Sequence, residues 1–194
     1  RRLRKAFLQG EIGEEELAKG NALLYATAGN CAYIGTANTM TIAAEAMGMA
    51  LSGSAVAPAI SNRRRVFCKE TGQQAVFLAN QDLRAKEIIN EKSIQNALRV
   101  VAALGGSSNY VLHILAIFAE AGLELGLDIF DQVSRKTPNL CKLSPAGAHH
   151  IEDLHTAGGI PAVMRTLADG DHLDLFVTTA TGQTLGENLD ALKA

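Results

Sequence analysis

Residues 29–40 read GNCAYIGTANTM, and the reading of the chain turns on them. A small, glycine-flanked segment carries a thiol at Cys31 and then runs straight into an apolar pattern. The run from Ala26 to Gly35 reads as a loop, because glycines and small residues break any helical or strand period there. Thr36 or Asn38 can then cap a helix running to about Ala50, with Met40, Ala43, Ala44 and Met47 at helical spacing. Leu51-Ser52-Gly53-Ser54 ends it, and Pro58 blocks early continuation. A thiol just ahead of a helix N-terminus sits among backbone N–H groups that attract anions. Such a group serves as a nucleophile or a soft-metal ligand, and the flanking glycines let backbone approach a cofactor closely. The same residue also reads as a buried small hydrophobe in a packed turn. The residues alone leave both readings open.

Outward from this segment the chain reads as helices joined by glycine-rich turns. Residues 1–8 form a basic helical end, Gly10 and Gly13 break it, and Glu14-Glu15-Glu16 start a second helix with acids at its positive pole. Helical patterns follow over Ser61–Asn80, over Ser93–Leu104, and from a Ser107 or Ser108 cap to Gly122. A short helix runs from Asp128 to Ser134, another from His150 to Ala157, and Pro161 occupies the first turn of the next. Thr184 and Glu187 have capping-box spacing ahead of the last helix. Leu173 to Thr178 is the clearest strand. No solenoid repeat and no second domain boundary is visible.

The 194 residues are 47% hydrophobic and 20% charged, with 5% aromatics and no Trp, which describes a globular domain with an aliphatic core. A net charge of −2 gives no argument for nucleic-acid or membrane binding. Three widely spaced cysteines, Cys31, Cys68 and Cys141, do not make a disulfide scaffold and fit a reducing compartment. With no apolar leader after Arg1 and no run long enough to span a bilayer, a soluble, cytoplasmic chain is expected. The missing initiator Met suggests that it is cut from something longer.

Other constellations are weaker. Cys68 and Cys141 have no C-x-x-C partner. Gly105-Gly106-Ser107-Ser108-Asn109 offers an anion site or a helix stop followed by a cap, and is neither a Walker A loop nor a dinucleotide fingerprint. His113 follows Asn109 by one helical turn, as a site-lining group or a satisfied core histidine. His149, His150 and His155 with Glu152 and Asp153 have the composition of a metal cluster without H-E-x-x-H spacing. Arg63-Arg64-Arg65 can meet a carboxylate or phosphate, or form a solvated helix face. No Ser-His-Asp order can be assembled.

Four blocks, in order, carry a resemblance to the dihydroxy-acid and phosphogluconate dehydratase family: GNCAYIGTANTMTIAAEAMGMALSGSA at 29–55, ALGGSSNYVLHILAIFAEAGLEL at 103–125, SRKTPNLCKLSPAGAHHIEDLHTAGGIPAVM at 134–164, and TGQTLGENL at 181–189. The resemblance implies an α/β fold, the helix-rich second half of a three-layer N-terminal domain. It implies a hydro-lyase that dehydrates a 2,3-dihydroxy carboxylate to a 2-oxo acid with an iron–sulfur cluster, [2Fe–2S] or [4Fe–4S], and Mg2+. Cys31 is carried over as a cluster ligand. Thr36, Asn38, Ser107, Asn109 and His113 are candidate substrate-binding residues. The family's C-D-K-x-x-P block, its upstream cysteine block, its T-D-G-R-x-S block and its C-terminal barrel-like domain are absent from 1–194. The expectation is therefore a partial N-terminal domain, inactive alone, whose parent is a homodimer or homotetramer.

The substrate reads two ways. SPAGAHHIEDLHTAGGIPAVM resembles the branched-chain dihydroxy-acid enzymes, whereas Ala32-Tyr33-Ile34 after the cysteine leans towards the sugar-acid dehydratases. From another class, a non-catalytic interaction module on the same core is the competing reading.

Overall fold

The computed structural model describes residues 2–22, Gly29 and residues 31–192. The loop expected over 26–35 lies partly outside these, since residues 26–28 and Asn30 are not among them. The elements are α1 (Arg2–Leu8), α2 (Glu14–Ala22), α3 (Thr36–Ala46), α4 (Asn62–Asn80), α5 (Ala85–Ile88), α6 (Glu91–Leu104), α7 (Tyr110–Glu120), α8 (Asp128–Lys136), α9 (Ile151–Thr156), α10 (Gly159–Asp169) and α11 (Leu185–Ala191).

The centre is α6. Asn90 caps it, accepting from the Lys92 and Ser93 backbone N–H groups at 3.1 Å each, while the Ser93 hydroxyl accepts from the Asn90 N–H at 2.9 Å. This reciprocal cap fixes the helix start at Glu91, ahead of the Ser93 start the apolar pattern suggests. Ile94, Leu98, Val101 and Leu104 are buried along α6, which packs chiefly on α3 and then on α8. Full burial of each such side chain contributes about 1.5–3 kcal/mol. Ile42, Ala43 and Ala46 of α3, Ile114 and Phe118 of α7, and Ile160, Met164 and Leu167 of α10 complete one core. By contrast, α1 and α2 pack on each other and bury none of their residues.

The chain ends α3 at Ala46, four residues short of the expected Ala50. Gly48 is the reason. It has φ +82°, and its carbonyl accepts from the Ala180 N–H at 2.7 Å, so the backbone has left the helix by that point.

The α/β expectation is corrected: among the described residues the chain is helical, with no strand and only two isolated bridges, Leu143–His149 and Thr178–Thr184. The strand expected at 173–178 has the right residues but, among the described residues, no strand beside it. Its backbone groups are taken from the sides. The Asn96 amide of α6 pairs with both the N–H and the C=O of Asp174, at 2.9 and 2.8 Å. Arg99 donates to the His172 carbonyl at 2.5 Å. Leu185 and Gly186, at the start of α11, donate to Val177 and Leu175 at 2.9 Å each. With those groups occupied, no ladder can form along the run.

Candidate functional site

Cys31 lies half-buried on the short extended segment that leads into α3. The segment is held from two sides. Asn38, one turn into α3 and itself buried, donates its side-chain amide to the carbonyls of Cys31 at 2.7 Å and Tyr33 at 2.8 Å. On the other side, Ile34 N–H donates to the Ser144 carbonyl at 2.8 Å, and Ile151 N–H donates to the Ala32 carbonyl at 2.9 Å. The thiol is thereby locked between α3 and the 144–151 turn, two segments far apart in sequence.

Cys31 opens on a cavity of about 320 Å³. Asn38 and Thr41 of α3, the 55–59 loop, Arg64 of α4, and Ile151 and Glu152 of α9 line the rest of it. Arg64 is placed by its own surroundings. Ser61 caps α4 by accepting from the Arg64 N–H at 3.1 Å, and the Arg64 guanidinium donates to the Ala57 carbonyl at 2.5 Å. A cation always charged at neutral pH therefore shares a cavity with the thiol and suits a carboxylate or phosphate.

Behind the loop wall sits Glu45, which is 2% exposed. Its two carboxylate oxygens accept from the Gly53 N–H at 2.6 Å and the Ala55 N–H at 2.7 Å. Burial pushes its pKa up to about 7, against the lowering effect of those hydrogen bonds and of the Arg64 charge.

The other candidates form a second group. Asn109 donates its side-chain amide to the Thr36 hydroxyl at 2.8 Å, and the Ser107 hydroxyl lies 3.5 Å from the same oxygen. Ser107 N–H donates to the Thr39 hydroxyl at 3.0 Å. The turn reaches α3 this closely because position 106 is glycine: a Cβ there would stand 2.5 Å from Val101 Cγ1 and 2.9 Å from Thr39 Cγ2. Thr36, Ser107 and Asn109 thus meet at the facing N-termini of α3 and α7. His113 is exposed one turn further along α7, its backbone N–H bonded to the Asn109 carbonyl. None of these four lines the Cys31 cavity.

Sequence reasoning took Arg64 as one of three equivalent arginines and missed Glu45 altogether. The signal for Glu45 was a lone acid inside an apolar helical run, with glycine-rich backbone shortly after it.

Cys68 is exposed on α4, whereas Cys141 packs partly against the core, where burial raises its thiol pKa. His149 and His150 are exposed, and Asp153 serves as the cap partner of the His150 backbone at 2.7 Å. Among the described residues, no three His, Cys, Asp or Glu side chains converge to hold a metal ion. Cys31 is the sulfur atom at a cavity with room beside it, a donor of the kind a soft metal takes.

Comparison with known sequences gives the family. The profile of the family described as dihydroxy-acid/6-phosphogluconate dehydratase, N-terminal, matches residues 1–188. The chain belongs to that family. A dihydroxy-acid dehydratase of Nitratidesulfovibrio vulgaris (strain DP4) is 50% identical over 186 residues, covering 96% of this chain and 34% of the relative. The dihydroxy-acid dehydratase of Solidesulfovibrio magneticus is also 50% identical, over 188 residues, covering 97% of this chain and 34% of its own length. That of Caldicellulosiruptor bescii is 44% identical over 184 residues, covering 95% of this chain and 33% of the relative. The chain spans about a third of the length of the curated relatives it matches. No helix among the described residues is long and apolar enough to cross a membrane.

Proposed function

We propose that the protein carrying this chain is a hydro-lyase that dehydrates a 2,3-dihydroxy carboxylate to a 2-oxo acid, with 2,3-dihydroxy-3-methylbutanoate of branched-chain amino-acid synthesis as the substrate. The observation that carries this reading is Cys31. In a chain of the dehydratase family, one thiol is locked on a doubly anchored loop at a cavity that also holds a permanent cation. Cys31 is the residue that would hold an iron–sulfur cluster, either [2Fe–2S] or [4Fe–4S], with the remaining ligands and those of Mg2+ lying outside these residues. When bound, the cluster supplies a Lewis-acidic iron for the leaving 3-hydroxyl, and the magnesium ion holds the carboxylate and the 2-hydroxyl.

The chain's own residues do the positioning. Asn38 and the 144–151 turn fix the sulfur, so that little entropy is lost when a ligand meets it. Arg64 attracts the anionic end of the acid into the cavity. The buried 55–57 wall excludes water from one side, which strengthens the pull of the guanidinium. Thr36, Ser107 and Asn109 present hydroxyl and amide groups at paired helix N-termini, where a hydroxylated acid finds both donors and acceptors. The parent works as a homodimer or homotetramer in this proposal.

Turnover tests it. Intact protein, reconstituted with iron and sulfide without air, is expected to convert 2,3-dihydroxy-3-methylbutanoate to the 2-oxo acid. Conversion of an aldonate or 6-phosphogluconate instead moves the assignment to the sugar-acid branch, the reading that Ala32-Tyr33-Ile34 favours. No conversion of any of them favours an interaction module. Residues 1–194 by themselves supply one sulfur of the site and are expected to be inactive.

A further inference from the structure

We propose that Glu45 is a positioning residue for the Cys31 cavity: its carboxylate clamps the 53–57 wall and, through Ala57, sets where the Arg64 guanidinium stands. The proposal deepens the function above in one respect only, in that it takes the Cys31 cavity as the working site.

The clamp is built from four hydrogen bonds along one loop. Glu45 accepts from the N–H groups of Gly53 and Ala55, two residues apart on a turn where Gly53 has φ +86°. Two converging donors need two acceptor oxygens on one rigid group, which a carboxylate offers and a carboxamide does not. The wall then continues through Ala55, Val56 and Ala57 along the cavity. The Ala57 carbonyl receives Arg64, and the Pro58 carbonyl receives the Ser61 hydroxyl at 2.8 Å, which ties the far end of the loop to the start of α4.

Simple core filling does not account for this residue. A leucine at 45 would bury apolar surface without the cost of a desolvated charge. The charge is retained where its hydrogen bonds hold a loop rather than a helix. The charged group that acts on Glu45 across the loop is Arg64 of α4, and the titratable neighbours of Arg64 in the cavity are Cys31 and Glu152 of α9. Ionised Glu45 accepts both N–H groups at full strength. Protonated Glu45 keeps one carbonyl acceptor, so one end of the wall loosens.

Amide hydrogen exchange on the intact protein without cofactor tests the clamp, with α6 as the internal reference for global folding. In Glu45→Gln, exchange at Gly53 and Ala55 is expected to rise about tenfold to a hundredfold, the loss of a charge-assisted hydrogen bond, while α6 protection does not fall. In the wild type, protection of the same two amides, corrected for the chemical exchange rate, is expected to fall several-fold between pH 8 and pH 6, and to stay level in the Gln variant. A packing role alone produces no such pH step. Unchanged exchange in Glu45→Gln overturns the proposal. Where the Gln variant loses α6 protection as well, the comparison of the two losses decides: a larger loss at Gly53 and Ala55 than in α6 supports the clamp, an equal loss overturns it. Failure of Cys31 as a cluster ligand leaves these rates untouched, so the two readings fail separately.

Discussion

The Asn38 side-chain amide donates to the backbone carbonyl of Cys31 at 2.7 Å, so a residue in the first turn of α3 also holds the backbone of the cysteine ahead of it. The second amide contact, to Tyr33 at 2.8 Å, closes the loop on the helix. Asn38→Ala removes both contacts, takes from the Cys31 carbonyl its Asn38 donor and leaves the Tyr33 carbonyl with the Gly35 N–H at 2.9 Å. The expected cost is about 1–3 kcal/mol in urea unfolding, with faster alkylation of Cys31 by iodoacetamide. Asn38→Asp keeps the shape but replaces the donor by an acceptor facing carbonyls, and is expected to be no better than Ala.

Glu45 gives stability a pH dependence of definite sign. Its folded pKa, about 7, lies above the ordinary carboxylate value of 4.5. The folded state therefore binds the extra proton across that window, and global stability falls as pH rises from about 4.5 to about 7. The full effect is on the order of 3 kcal/mol. Urea midpoints are expected to be higher at pH 5.5 than at pH 8 in the wild type, with the difference much reduced in Glu45→Gln. The opposite slope in the wild type, removed by the same substitution, would contradict the raised pKa. Acid therefore strengthens the whole fold while loosening the 53–57 wall.

Gly48 ends α3 in a left-handed conformation against Thr179. A Cβ at 48 would stand 2.9 Å from Thr179 Cγ2 and 3.1 Å from its Cα. Gly48→Ala is expected to lower stability by about 1–3 kcal/mol, through backbone strain and displacement of the 177–180 segment. Thermal unfolding of the variant checks this.

Asn96 holds the Asp174 backbone as a second strand would. Asn96→Leu fits the buried position by size but leaves the Asp174 N–H and C=O without that partner. A loss of about 1–3 kcal/mol is expected, with hydrogen exchange rising across 172–177 before the rest of α6 is affected.

Much of the helical order was legible because it is written in local signals. The Thr184–Glu187 capping box and Pro161 in the first turn of α10 sit where the sequence puts them, and α4 runs within one residue of the expected 61–80 span. Leu173–Thr178 misled because β-forming residues specify extended backbone, whereas a sheet also needs a partner strand, and among the described residues this segment has only the single Thr178–Thr184 bridge. At the candidate site, the place of Cys31 just ahead of α3 was legible, and the rest only in part. Thr36, Ser107 and Asn109 do meet, yet what joins them is the approach allowed by Gly106, a contact between segments about 70 residues apart. Glu45 was invisible because a buried carboxylate is explained by the two loop amides it faces, and the sequence does not show that they converge.

The central claim is that Cys31 is a ligand of an iron–sulfur cluster. The most direct measurement is the visible absorption and iron content of the intact protein, reconstituted without air, for the wild type and Cys31→Ser. A cluster spectrum is expected in the wild type and its loss in the variant, with helical circular dichroism retained in both. A variant that keeps the same spectrum and the same iron content contradicts it.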